Sequence, residues 1–221
     1  MPSEFPYGSD RKKDMDDVTG FLDISPTTLA DVLGAEQVMD IGIRPLWPSV
    51  PRVAGPAFTV RCAPGDNLML HAAIYRAEPG SVIVVEAGDV EYALAGGNVC
   101  GVAQRRGIAA FVTDGVIRDL ADVRELGFPV FARGVIPVPG IKAAVAPLNV
   151  AVRCGGVSVH PGDIVVADEE GVVVTPGSRA GQVLRAAQER EAREAVESLD
   201  EWEASHRALV GKILAEGGFE G

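Results

Sequence analysis

From Val53 onward the hydrophobic positions fall into short runs: AFTVRCA, GSVIVVEAG, AAFVTDG, PVFARGV, VAVRCGG and DIVVADEEGVVVTP, each bounded by Gly, Pro or Asp. Runs of this length, rich in β-branched residues and closed by turn formers, predict β-strands. Between them DNLMLHAAIYRA, NVCGVAQRRG and the shorter DLADVRELG predict helices. Upstream, Ser25-Pro26-Thr27-Thr28 before LADVLGAE places a Ser cap and a first-turn Pro at a helix start, and Gly34 can end that helix. After Pro176 the chain turns charged. Intermittent stripes of Val183, Leu184, Ala187, Val196, Leu199, Leu209, Val210, Ile213 and Leu214 predict a long, partly exposed C-terminal helix, continuous or broken, with a face for another subunit.

Strands alternating with helices and hairpins predict an α/β fold with a mixed sheet or layered sheets. VVADEEGVVV has two β-branched arms about Asp168, Glu169, Glu170 and Gly171, which reads as a hairpin with a solvated tip rather than an acidic metal cluster. PGD occurs at Pro64–Asp66 and again at Pro161–Asp163, predicting two tight turns. GGNVCG carries Asn98 where a dinucleotide fingerprint needs its second Gly, and no Gly-Lys-Ser or Gly-Lys-Thr follows a Gly-rich loop. The expected organisation is a mobile tail over residues 1–20, an α/β core over 21–177 and a helical extension over 178–221.

Composition narrows the functional classes. With 221 residues, 47% hydrophobic, the chain can bury a core without staples, and 26 Gly with 15 Pro match many tight connections. A formal net charge of −11 gives no footprint for nucleic acid or an anionic membrane. An anionic small substrate would therefore need a local cluster of donors or a cation. Cys62, Cys100 and Cys154 are odd in number and widely spaced, which points to buried, reduced thiols and a cytoplasmic setting. Residues 1–17 lack the apolar stretch of a signal peptide, and no apolar run approaches the roughly 20 residues of a spanning helix.

The candidate chemistry lies in FVTDGVIRDL, where Arg118 and Asp119 follow an apolar strand and a Gly115 turn. Ligand sites of α/β proteins lie at such strand ends. Arg offers a planar fork for a carboxylate, and Asp a hard oxygen for a divalent cation. Alternatively, Asp119 caps a helix and Arg118 is a solvated charge. Upstream, Gly96 and Gly97 precede a helix start whose first N–H groups, those of Asn98 and Val99 among them, could cradle an anion. Otherwise the two glycines serve a sharp strand-to-helix turn.

The order AGGNVCGVAQRRGIAAFVTDGVIRDLADVRELGFPVFARG, followed by CGGVSVHPGDIVVADEEGVVVTP, closely resembles the RraA-like family, from about Thr27 to Pro176. That family includes the 4-hydroxy-4-methyl-2-oxoglutarate aldolases and the regulator of ribonuclease activity A, a non-catalytic protein binder. The resemblance implies a single-domain, layered α/β/α fold with a mixed central sheet, an N-terminal helix and a long C-terminal helix, assembled as a homotrimer or hexamer. It also implies a lyase that uses Mg²⁺ or Mn²⁺ to release pyruvate from a small 2-oxo acid, with oxaloacetate decarboxylation as a second activity. Carried over by position, the family's substrate-binding arginine is Arg118, its metal-binding aspartate is Asp119, and the amides that hold the pyruvyl carboxylate are those of Asn98 and Val99, beside Gly96 and Gly97.

One position departs. The family's usual acidic residue, implied to orient a basic water, is Gly97 here. Asp89, Glu91 or a carboxylate of another subunit are the expected substitutes. Retro-aldol cleavage needs a base at the C4 hydroxyl and decarboxylation does not, so the sequence favours the decarboxylase. His71, His160 and His206 have no metal-ligand spacing, Lys142 is expected at the surface or as a minor substrate contact, and Asp114 is expected to support the site from a turn.

Overall fold

The structure, a computed structural model, describes residues 18–219, so the expected tail lies outside the described residues save its last three. The described chain runs through α1 (Pro26–Leu33), β1 (Arg44–Pro45), β2 (Val53–Arg61), α2 (Leu68–Ala73), β3 (Val82–Glu86), α3 (Gly97–Arg105), β4 (Ala110–Thr113) and β5 (Val116–Ile117). It continues through α4 (Leu120–Leu126), β6 (Val130–Ala132), β7 (Gly134–Val135), β8 (Val152–Cys154), β9 (Val157–Val159), β10 (Ile164–Asp168), β11 (Gly171–Thr175), α5 (Ala180–Glu194) and α6 (Leu199–Glu216).

Seven strands form one mixed sheet in the order β1-β6-β4-β3-β2-β10-β11. Its centre is parallel: β2 pairs with β3, β3 with β4 and β4 with β6. Such strands are covered on both faces and read as unbroken apolar runs. Val82, Ile83, Val84 and Val85 accordingly have no exposed surface. Ile83, Val85 and Phe111 face a layer built by α2, α3 and α4, where Phe111 meets Phe128 edge to face at 4.9 Å. Val82, Val84 and Val112 face the other way, toward the β8–β9 hairpin. A third cluster fastens α1 and α5 over β10 and β11 through Phe21, Leu29, Val183 and Leu184. The sequence expectation of an α/β fold with a mixed sheet is met.

Local chemistry explains the ends. Ser25 Oγ accepts the Thr28 N–H at 3.0 Å with Pro26 in the first turn, and Gly34, at φ 97°, closes α1. Both PGD aspartates bind turns: Asp163 accepts the N–H groups of His160 and Gly177, and Asp66 those of Leu68, Ala143 and Ala144. The hairpin VVADEEGVVV pairs β10 with β11 as expected, but its tip is not uniformly solvated. Asp168 is buried, with Oδ2 accepting Arg52 Nε at 2.9 Å and Oδ1 accepting the Glu170 N–H, because a carboxylate folded back on its own turn needs both donors once water is excluded. The C-terminal helix is broken at residues 195–198. Ser198 and Glu201 form a capping box at the start of α6, which buries none of its residues. No described helix is long and apolar enough to cross a membrane.

Candidate functional site

The crossovers β3–α3–β4 and β4–α4–β6 bring two helix starts to the carboxyl ends of neighbouring parallel strands. Backbone pairing then sets their register. The Leu94 N–H donates to Val116 O and the Arg118 N–H to Ala95 O, both at 2.9 Å, so residues 93–95 run beside β5, with an isolated bridge from Ala93 to Val116. One residue beyond this ladder on each side lie Gly96 and Asp119. On its other edge Ala93 bonds Val138 and Gly140, and the Asn67 N–H donates to Ile141 O. Three loops and the start of α2 thus close on one pocket.

That pocket has a volume of about 90 Å³ and brings together Gly96, Asn98, Val99, Arg118 and Asp119, the residues singled out in the sequence. It is large enough to admit several water molecules. Gly97 sits in the wall beside it. The structure adds Asn67, His71 and Pro139, and draws in Lys142. Asn67 is the N-cap residue of α2 and His71 lies in its last turn, four residues on, a spacing that puts both on one face and was the signal available in the sequence.

Asp119 is the N-cap residue of α4 but does not cap it. It holds φ 56° and ψ 42°, and no side-chain cap bond forms. Its Oδ2 instead accepts the Gly97 N–H at 3.2 Å and lies 3.5 Å from Arg118 Nε. A left-handed backbone at a non-Gly residue costs about 1–3 kcal/mol and persists where the surroundings impose it. The half-exposed ion pair returns no more than about 1 kcal/mol. The strain aims the carboxylate back across the pocket, and the capping alternative is set aside.

The glycines serve space rather than unusual φ. A Cβ on Gly96 would run into Asp119 Oδ2 and reach within 3.0 Å of Arg118 Cγ; one on Gly97 would lie 2.8 Å from both Cβ and Oδ2 of Asp122. Gly96 and Gly97 therefore let the Arg118–Asp119 turn close down on α3. The Gly97 N–H is taken by Asp119, while among the described residues no acceptor reaches the N–H groups of Asn98 and Val99. These two unpaired donors open on the pocket.

Asn67, His71 and Lys142 complete the lining. Asn67 Nδ2 donates to Ala93 O and Gly140 O, both at 3.3 Å, leaving Oδ1 buried without a donor; His71 Nε2 is likewise buried without a partner. Burial, then the nearby Lys142 ammonium, lowers the His71 imidazole below its ordinary 6.5, against the Leu94 backbone and Asp66. Burial pushes against ionisation of Asp66, but N–H donors from Ala144, Leu68 and Ala143, with Lys142, hold that carboxyl below its usual value. Asp66 so fastens the Lys142 loop to α2.

The remaining sequence candidates lie outside the pocket. Asp89 spends its carboxylate on the N–H groups of Gly65, Glu91 and Tyr92, and neither it nor Glu91 lines the cavity. Asp114 accepts the Ala87 N–H at 2.8 Å, bracing the β3 and β4 ends from behind, and burial raises its pKa. All three cysteines are free and buried, and burial pushes Cys62 up to about 11 and Cys100 to about 12.

Among the described residues no three His, Cys, Asp or Glu side chains converge on one point. A tetrahedral zinc site is thereby a poor fit. Asp119 is the one carboxylate on the pocket, with its side chain 40% exposed. Mg²⁺ and comparable hard cations keep several waters and take one or two carboxylates with substrate oxygens completing the shell, and this donor set fits them.

Fold and site define a mixed α/β protein with a small polar pocket, rich in anion donors and holding one carboxylate, at the ends of parallel strands. The RraA-like family, described as Aldolase/RraA, matches residues 23–174, and the chain belongs to it. A protein of Halalkalibacterium halodurans provisionally named 4-hydroxy-4-methyl-2-oxoglutarate aldolase is 39% identical over 203 residues, covering 91% of this chain and 92% of that one. Among solved structures, Streptomyces coelicolor RraAS2, described as an unusual member of the RNase ES inhibitor RraA family, is similar with a TM-score of 0.71 and 33% identity, over 81% of this chain and 95% of its own. The RNA-processing inhibitor RraA of Thermus thermophilus matches with a TM-score of 0.61 and 26% identity, over 69% and 92%.

Proposed function

We propose that this protein is a divalent-metal-dependent carbon–carbon lyase that releases pyruvate, through its enolate, from a small 2-oxo acid. The observation that carries this reading is one cavity holding two unpaired helix N–H groups, a guanidinium and a single strained carboxylate. The Asn98 and Val99 amides take the substrate's carboxylate and fix the 2-oxo group. Arg118 lies where negative charge develops as the enolate oxygen forms, which is where a fixed donor lowers a barrier most. Asp119 would hold Mg²⁺ or Mn²⁺, which when bound supplies Lewis-acid polarisation of the oxo group. Loss of CO₂ from oxaloacetate needs no base; cleavage of a 4-hydroxy-2-oxo acid needs one.

The aldolase name of the Halalkalibacterium relative supports the lyase class, and a cytoplasmic homotrimer or hexamer is part of the same proposal. The test is pyruvate release from oxaloacetate and from 4-hydroxy-4-methyl-2-oxoglutarate with Mg²⁺, with Mn²⁺ and with EDTA, beside the Asp119→Ala protein. Metal-dependent release absent from Asp119→Ala is the expected result; none above that background from either substrate removes the reading.

A second reading, a non-catalytic protein-binding regulator, is favoured by the RraA inhibitors among the similar structures and by the exposed Leu199, Trp202, Leu209 and Ile213 of α6. Specific capture of a ribonuclease by the full chain, lost on truncation after residue 197, would support it.

A further inference from the structure

None of the 18 residues of α6 is buried, and among the described residues no hydrogen bond or ion pair joins it to the sheet or to another helix. Its start is nonetheless specified, by the capping box of Ser198 and Glu201. A helix of this length is marginal in water on its own, and helices in proteins owe most of their stability to a packed apolar face. That face is present. Leu199, Trp202, His206, Leu209 and Ile213 recur at alternating spacings of three and four, the narrow seam of a two-helix coil, and Val210 and Leu214 widen it toward the carboxyl end. Leu199, Leu209 and Ile213 are each more than half exposed, and the rings of Trp202 and His206 stack at 4.6 Å along the same seam.

Charge selects the partner. The first turns of α6 hold Asp200, Glu201 and Glu203 and no cation, whereas the later turns hold Arg207 and Lys212, with Glu216 3.9 Å from Lys212 at the end. We propose that α6 docks antiparallel on the α6 of a second copy of this chain. In that orientation the acidic half of each helix lies along the basic half of the other, while a parallel pair stacks acid on acid. The chain carries a net charge of −11 and repels its own copies over long range, and this pairing of opposite halves offsets the repulsion at the contact. The interface is isologous, about a two-fold axis that crosses the helices between His206 and Leu209, so Trp202 of each copy meets Ile213 of the other. A seam of 18 residues is about 27 Å long, short enough that the pair forms reversibly as protein concentration rises. The proposal is independent of the chemistry in the pocket.

Light scattering on the full chain over a range of concentrations tests it. Pairing doubles the mass of whatever unit the α/β core forms, so the wild type is expected to reach twice the mass of the Ile213→Glu protein, and truncation after residue 197 is expected to give that same halved mass. Charge reversal reads the orientation. Asp200→Lys with Glu203→Lys, and separately Arg207→Glu with Lys212→Glu, should each stay at the halved mass, and the chain carrying all four changes should recover the doubled one. A wild type no heavier than Ile213→Glu overturns the pairing, as does a doubling that survives truncation or a four-change chain that stays halved. Specific capture of a ribonuclease through α6 by a chain that does not double overturns it in favour of the regulator reading. Should Ile213→Glu fail to fold, hydrogen exchange of the wild type decides: protection of the amides of residues 199–216 must rise with protein concentration, and protection independent of concentration overturns the pairing.

Discussion

Asp122 occupies the room that a side chain at position 97 would need: a Cβ on Gly97 would lie 2.8 Å from Asp122 Cβ. A residue of α4 thus limits what α3 can carry at its first position. Overpacking of this kind costs about 1–3 kcal/mol. Gly97→Asp is expected to lower the melting temperature, and Asp122→Gly, which alone gives up a first-turn carboxylate worth about 0.3–1 kcal/mol, is expected to recover part of the loss when combined with it. A double-mutant cycle by thermal denaturation gives the coupling.

Asp119 trades stability for position. Asp119→Gly removes the cost of φ 56° and is expected to stabilise by about 1 kcal/mol, or roughly 2–4 °C for a chain of this size. Asp119→Ala keeps the strain and falls below it. Calorimetry should rank the melting temperatures Gly above Ala, with both variants losing metal-dependent pyruvate release.

Arg118 is expected to resist conservative replacement. Lysine keeps the charge but not the planar fork. Arg118→Lys should lower kcat on oxaloacetate by at least about tenfold, about 1.4 kcal/mol, with little change in melting temperature, because the Arg118–Asp119 pair is half-exposed. Steady-state kinetics and a melt on the same sample check both halves.

Asp66 holds the Lys142 loop through three N–H donors. Asp66→Ala should destabilise by about 1.5–3 kcal/mol, the range for bonds to a charged group. The folded carboxyl titrates below its ordinary 3.8, so its contribution is complete above that value and is lost as pH falls through the lower folded pKa. Urea midpoints for the wild type and Asp66→Asn should therefore converge below pH 3.8.

His71 acts in the same direction at higher pH. Its folded pKa lies below 6.5, so the unfolded chain takes up the proton first as pH falls. The stability it contributes is present above 6.5 and declines as pH falls from there through the folded value. Lys142→Met removes a charge that lowers the pKa and should shorten that decline; urea midpoints of both proteins measured against pH read it.

Much of this molecule is written locally. The Val-rich runs specify strands because a β-branched residue buried on both faces needs no partner information, and Ser25, Pro26 and Gly34 set the bounds of α1 by capping chemistry alone. Arg118, Asp119, Asn98 and Val99 were legible because they sit within two short segments next to strand ends. The rest was decided only in three dimensions. Asp119's left-handed turn, Asp122 filling the space beside Gly97, Asp168 paired to Arg52 across 116 residues, and His71 and Lys142 meeting in one cavity all depend on register between distant segments. Sequence fixes what each residue can donate or accept; the backbone ladder joining residues 93–95 to β5 and to the Val138–Gly140 loop decides which of them share a pocket.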